Sequence, residues 1–210
     1  MKVLVIGASG TVGSAITKKL QAEGHEVVAV SRKTTPSVDI EKTDELKTFL
    51  EEMDPVDHIV CTGGAVQFAE GPLETLTDAT IYRGIDSKLM GQVNIARFGH
   101  KSVKKGGSIL LTGGLVAYKP LFPNASHIGM INAALNGFVI CAGNDLKQAG
   151  GPRLNVIHPP LIKETDIAAF GGTGEGLPAA AEVADVYYKS LFEETGTGQE
   201  YFIPGFNGKA

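Results

Sequence analysis

Cysteine is scarce in this 210-residue chain: only Cys61 and Cys141 occur, far apart, in apolar surroundings and without metal-ligand spacing. That excludes a disulfide framework and a cysteine-held metal, and predicts buried free thiols in a reducing compartment. Long apolar runs are also missing. MKVLVIGASG is apolar for only a few residues before its glycines, and no later segment approaches the ~18 apolar residues of a membrane span, so the sequence predicts a soluble, cytoplasmic protein with no membrane partner. Positive charge is thin as well. Lys and Arg number 19 against 23 Asp and Glu, and the one dense basic run, Lys101 to Lys105, is broken by Ser102 and Val103. A nucleic-acid partner therefore lacks electrostatic support. There is no Ser-His-Asp order, no metal-ligand cluster and no glycine turn ending in G-K-[S/T], which removes hydrolase, metalloenzyme and phosphate-cleaving readings.

What is present is alternation. Short β-branched runs at 2–7, 26–31, 37–40, 57–63, 108–113, 153–159 and 199–205 read as strands. Between them lie helical patterns: one places Val12, Ile16 and Leu20 on one face and ends at Gly24. Others run over 44–53, from about Thr77 to Lys104, from about Ser126 to Gln148, and over 180–193. With 43% hydrophobic and 20% charged residues, this is one well-buried domain over residues 1–210, a doubly wound α/β sheet of Rossmann type. The stretch FGGTGEGLP (170–178) reads as a mobile loop, and 163–178 as a short lid over the site.

The first chemical motif is Gly7-Ala-Ser-Gly10-Thr-Val-Gly13, between the first strand and the first helix. Gly7 permits the turn, Gly10 lets backbone approach a pyrophosphate, and Gly13 lets the helix pack close. Ser9, Thr11 and Val12 complete a dinucleotide site at the helix N-terminus. The second strand ends in Ser31-Arg32-Lys33 where an NAD-binding site carries an acid. Two cations and a hydroxyl suit a 2′-phosphate, so the expected cofactor is NADP(H).

These motifs resemble the short-chain dehydrogenase/reductase family over essentially the whole chain. The resemblance extends to Asp39-Ile40 as the adenine-contacting pair and Thr62-Gly63-Gly64 as the N-A-G type turn. It includes Pro159-Pro160 through Thr165 as the segment that clasps the nicotinamide amide, which would put Pro159 and Leu161 there, and Thr197-Gly198-Gln199 through Gly205 as the closing strand. The catalytic text departs from the family pattern. NAALNGF matches the central helix, but Ile128 stands at the Tyr position, Asn132 at the Lys and Ile131 at the preceding Ser of that helix. Gly113 or Gly114 stands at the catalytic Ser, and Lys88 at the Asn of the long helix. Lys and Asn look exchanged between helices. The resemblance implies an NADPH-dependent reductase of ketones or aldehydes, with Lys88 and Asn132 in the site and His127, Tyr118, Thr112 or Ser126 as further proton donors. The alternative is a noncatalytic NADP(H)-binding redox sensor. Phe122 and Phe170 are expected in the pocket wall. The small residues of NAALNGFVICAG suggest a homodimer or homotetramer, as the resemblance also does.

Overall fold

Each strand-like run is followed by a helix that must recross the sheet, so the strands pair in parallel. In the computed structural model, which describes residues 1–207, β1 (Lys2–Ile6), β2 (Glu26–Val30), β3 (Val56–Cys61), β4 (Val103–Thr112), β5 (Arg153–His158) and β6 (Glu200–Phe202) form one sheet in the order β2-β1-β3-β4-β5-β6. Every neighbouring pair is parallel. Alternate side chains feed two cores. Leu4, Ile6, Ile59, Ile109 and Val156 pack against α2 (Thr43–Glu52), α4 (Gly91–Gly99) and α5 (Ser126–Gln148). Val3, Val5, Val60, Leu110 and Ile157 face α1 (Thr11–Ala22) and α7 (Ala180–Phe192). The strands' carboxyl ends therefore open together at one edge, where an α/β sheet of this kind builds its site.

Four expectations are corrected. The run at 37–40 is not a strand: Ser37 makes a single bridge to Ser31, and the Thr34 hydroxyl satisfies Ser31 and Pro36 backbone locally, closing the segment as a turn. The helix expected from Thr77 to Lys104 is interrupted. It runs as α3 (Asp78–Gly84), a π-turn (Ile85–Met90), α4 and a 3₁₀ turn (His100–Ser102), and Val103 already opens β4. The lid is organised rather than open: after the three-residue α6 (Lys163–Thr165), Asp166 accepts a hydrogen bond from Gly174 N at 2.9 Å and holds the glycine segment in place. Cys61 is buried as expected, but Cys141 is exposed on the outer side of α5. That helix also has an 18-residue window of mean hydropathy 1.2, enough to pass a span test by length and composition; its buried residues, including Ile128, Ile131, Leu135 and Val139, pack it onto the domain.

Two strand histidines are buried without a second partner. His58 shares a hydrogen bond with Ser108 Oγ at 2.9 Å, and His158 accepts one from Gly114 N at 3.2 Å, while both Nε2 atoms lack hydrogen-bond partners, the Glu200 carboxylate lying 3.9 Å from that of His158. Desolvation lowers each to about 4, so both fold neutral. The unfolded rings, titrating near 6.5, take up protons first as pH falls. Stability should thus be fully present above pH 6.5 and fall as pH drops toward 4, by on the order of 3 kcal/mol per ring. Urea unfolding measured across that window tests this; a flat profile would show that the folded rings protonate freely.

Candidate active site

The glycine turn has the geometry its sequence called for. Gly7 takes φ of 89°, and a Cβ there would lie 2.7 Å from both Gly63 N and Thr62 Oγ1. A Cβ on Gly13 would come 2.2 Å from Gly7 O. Only glycine lets α1 start this close to β1 and β3. The helix begins at an N-cap, Gly10, with no side-chain hydrogen bond and no acid in the first turn, leaving the first N–H groups, Thr11 and Val12 among them, for an anion.

Beside this turn lies a cleft of about 300 Å³. Of the expected cofactor residues, Gly7, Ser9 and Gly10 line it from the glycine turn; Ser31, Arg32, Lys33, Asp39 and Ile40 from beyond β2; and Thr62, Gly63 and Gly64 from beyond β3. Ser31 Oγ accepts from Lys33 N at 3.0 Å, shaping the turn so that Arg32 and Lys33 are both exposed. Neither is in an ion pair among the described residues, whereas Lys2, Lys19, Lys42, Arg83 and Lys104 are. Thr11 and Val12 do not line the cleft: Thr11 faces a groove toward α7 and the Val12 side chain packs into the core beneath α1. Pro159 and Leu161 also lie outside it, half-buried beyond β5, where Pro159 O accepts from Leu115 N at 2.9 Å.

Residues not expected from sequence complete the wall. Ser87 Oγ accepts from Ala65 N and donates to Glu41 Oε1, each at 2.9 Å, and Arg83 pairs with the other Glu41 oxygen. This chain of contacts ties the loop after β3 to the π-turn. Glu41's position directly after Asp39-Ile40, and Ser87's directly before Lys88, were the only sequence cues.

Lys88 is the distinctive group. A π-turn shifts the helical register and recurs at functional positions. Here it turns Ser87 and Lys88 inward, leaving Lys88 only 8% exposed. The stem runs under Gly64, where a Cβ would come within 2.9 Å of Lys88 Cα and Cδ. Its ammonium has no hydrogen-bond or ion-pair partner among the described residues. Burial lowers its pKa to about 8, partly opposed by neighbouring Cys61, and its charge in turn depresses His158 at the end of β5.

The positions that the resemblance leaves without a catalytic side chain are physically filled. A Cβ at Gly113 would lie 2.4 Å from His158 Nδ1, and one at Gly114 would lie 3.3 Å from Asn132 Oδ1. His158 thus occupies the space a serine side chain at Gly113 would need, a replacement hinted at only by its place before Pro159-Pro160. Ile128 and Ile131 are core residues. Asn132 Nδ2 donates to Ile128 O at 2.8 Å, leaving Oδ1 buried and without a partner.

The other expected donors are committed elsewhere. Tyr118 donates to Glu200 and accepts from Asn136 Nδ2 at 2.7 Å, and burial together with Glu200 raises its pKa above the ordinary phenol value. Thr112 donates to Cys61 O and meets Tyr187 OH, both at 2.6 Å. His127 is buried, with Nε2 on Gln67 O at 2.7 Å, pinning the β3 loop to α5. Ser126 is the exposed first residue of α5 rather than its cap, which is Ala125. The structure leaves Lys88 as the buried, uncommitted cation among these candidates.

Comparison with known proteins agrees with this geometry. Residues 3–103 match the model of the NAD dependent epimerase/dehydratase family. The protein lin1944 from Listeria innocua is 33% identical, with 97% of this chain and 99% of that one covered at a TM-score of 0.86. The crystal structure of a small-chain dehydrogenase is 26% identical, with 97% and 95% covered at 0.80. The NADPH-dependent 1-acyldihydroxyacetone phosphate reductase of Saccharomyces cerevisiae is 25% identical over 229 residues, covering 91% of this chain and 77% of the yeast protein.

A buried, unpaired ammonium opposes folding. Because its pKa in the fold, about 8, lies below its unfolded value near 10.5, the penalty is full below pH 8 and fades as pH rises toward 10.5. Lys88→Met keeps most of the stem and should stabilise the protein at pH 7, by up to about 3 kcal/mol. Chemical denaturation checks this; a loss of stability would mean that the ammonium has a partner in solution.

Proposed function

The chain belongs to the short-chain dehydrogenase/reductase family, and from that premise we propose that it is an NADP(H)-dependent reductase of ketones and aldehydes in which Lys88 donates the proton. The observation that carries the reading is the buried, uncommitted Lys88 ammonium at the carboxyl edge of the sheet, beneath the loop that lines the dinucleotide cleft. The glycine turn and the N-terminus of α1 suit the pyrophosphate, Arg32 and Lys33 suit a 2′-phosphate, and the yeast relative is NADPH-dependent.

The nicotinamide, when bound, supplies the hydride. The protein's own part is to hold the carbonyl and to manage the proton. With its pKa at about 8, Lys88 is about nine-tenths protonated at pH 7 and poised near the operating pH, where a general acid works best. In a water-poor site its charge stabilises oxygen as negative charge develops there. The orphaned Asn132 Oδ1 offers an acceptor facing Gly114, suited to a substrate hydroxyl or the Lys88 ammonium. His158, neutral and walled by Tyr118 and Phe202, keeps that end of the site shaped and uncharged. The outer side of α5, with exposed Ala133, Ala134, Gly137 and Ile140, supports a homodimer.

Two measurements test the reading. Reduction of an activated ketone should lose rate as pH rises through about 8, because the neutral amine has no proton to donate, and oxidation of the alcohol should gain over the same range. Lys88→Ala should lower kcat by about 10²- to 10⁴-fold and abolish that transition while leaving NADPH affinity nearly intact. Wild-type kcat in the variant would remove Lys88 from the chemistry, and tight NADPH binding without turnover on any carbonyl would favour a redox-sensing role. Separately, Arg32→Asp should weaken NADPH far more than NADH, by about 1.5 to 3 kcal/mol for the lost charge-assisted bond plus the added repulsion. Fluorescence titration with both nucleotides reads this, and equal weakening would show that Arg32 does not contact the phosphate.

A further inference from the structure

Three phenylalanines from three separate segments meet over the carboxyl edge of the sheet. Phe68 follows β3, Phe122 precedes α5 and Phe170 ends a second π-turn, Asp166–Phe170, in the lid. Phe68 stands edge-on to both others, at 5.3 Å and 80° to Phe122 and 5.9 Å and 89° to Phe170. Phe122 and Phe170 are nearly parallel, at 23°, with centroids 6.1 Å apart. The cluster belongs to the site. Phe68 lies four residues past Gly64, which covers the Lys88 stem, and its neighbour Gln67 is held to α5 by His127.

We propose that Phe68, Phe122 and Phe170 bind an aromatic ring of an uncharged carbonyl substrate. The inference rests on the reductase reading and names its substrate class. Two near-parallel rings flanked by a third edge are the arrangement into which a planar π-system stacks. Aromatic contact needs about 3.5–4.0 Å on each side, so a ring between Phe122 and Phe170 needs about 7–8 Å, an opening of roughly 1–2 Å beyond the present gap. The Phe170 side chain can supply that opening. The lid's base is fixed by Lys163 N on Pro178 O at 3.0 Å and by the Glu164 carboxylate on Ala180 N, and its glycine segment by Asp166. Phe170, at its tip, is 51% exposed and followed by the left-handed Gly171.

Two further observations define the ligand. Of the eight exposed large hydrophobics among the described residues, Leu73, Met130, Ile167 and Phe170, at 48% to 71% exposure, lie on the segments that carry the cluster or next to them, and Leu73 and Met130 line one groove with Phe122, exposed apolar surface of the kind that marks a binding site. Charge argues against an anion. The segments 62–76, 113–125 and 159–178 contain no arginine, and their acidic side chains outnumber Lys119 and Lys163. A phosphate or carboxylate on the substrate would find no bidentate partner on them.

Three activated keto compounds separate the terms: ethyl benzoylformate is aromatic and neutral, ethyl cyclohexylglyoxylate replaces the planar ring by a saturated one, and benzoylformate adds a charge. With NADPH, kcat/KM for the aromatic ester should exceed that of each other compound by about tenfold or more. Phe170→Leu and Phe122→Leu, which keep apolar bulk, should shrink the aromatic-to-saturated ratio to within about threefold. Equal rates for the two esters, or a ratio the variants leave untouched, overturns the proposal. If no compound oxidises NADPH, the reductase reading fails on its own. Calorimetric titration of ethyl benzoylformate into the protein saturated with NADP⁺ then decides the aromatic site: binding weakened by Phe170→Leu upholds it, and absence of binding overturns it.

Discussion

Everything at the carboxyl edge of the sheet depends on how closely α1 approaches β1 and β3. Gly13 sits where a single added carbon would be 2.2 Å from Gly7 O, and Gly7 where one would strike the Thr62–Gly63 backbone. Those contacts permit no side chain, and they fix three things together. The N-terminus of α1 is aimed along the edge, the loop after β3 is pressed against the glycine turn, and Gly64, at the far end of that loop, is laid on the Lys88 stem. A dinucleotide cleft and a buried cation are thus built from the same loop, Thr62 to Ala65, which carries both.

The cation is the costly part of this design. Nothing among the described residues repays the desolvation of Lys88, and the fold carries neighbouring polar atoms that are also unpaid, Asn132 Oδ1 and His158 Nε2. Strain of this kind is tolerated where function requires it. Thr112 and Tyr118 show the contrast. Each is buried or half-buried and polar, and each has found partners that fasten one element to another. A buried hydroxyl with good hydrogen bonds is structure; a buried charge without them is where chemistry is expected.

The sequence made the fold legible because apolar patterning and two glycine positions specify it locally. The extent of α5 was readable, since the stretch from about Ser126 to Gln148 holds one continuous helical face. The turn at 37–40 and the break at 85–90 were not. The first depends on the Thr34 hydroxyl capturing backbone that a strand would have paired, the second on Ser87 bonding to Glu41, 46 residues distant. In the site, residue types were legible and environments were not. Lys88 stood out by its family position, but whether it was buried or solvated depended on Gly64 packing over it from another segment. His158 was invisible because its importance lies in the volume it takes from Gly113.

The exchange of Lys and Asn between helices that the resemblance implies is physically coherent on these terms. On α5 the position of Asn132 is walled by Gly114, with Oδ1 already within 3.3 Å of where a Cβ on that glycine would be. A lysine stem there would have to displace β4's continuation. On the π-turn the opposite holds: the missing side chain of Gly64 leaves room for the Lys88 stem, and the hydrogen-bonded run from Arg83 through Glu41 and Ser87 to Ala65 holds the turn that carries it. The long side chain sits where the backbone makes room and the short one where it does not. Lys88 is carried by the helix that contacts the dinucleotide loop instead of the one that packs against β5, and its neighbour Ser87 lines the cleft. The dinucleotide cleft and the turn that carries Lys88 thereby share one hydrogen-bonded connection, which a lysine on α5 would not have.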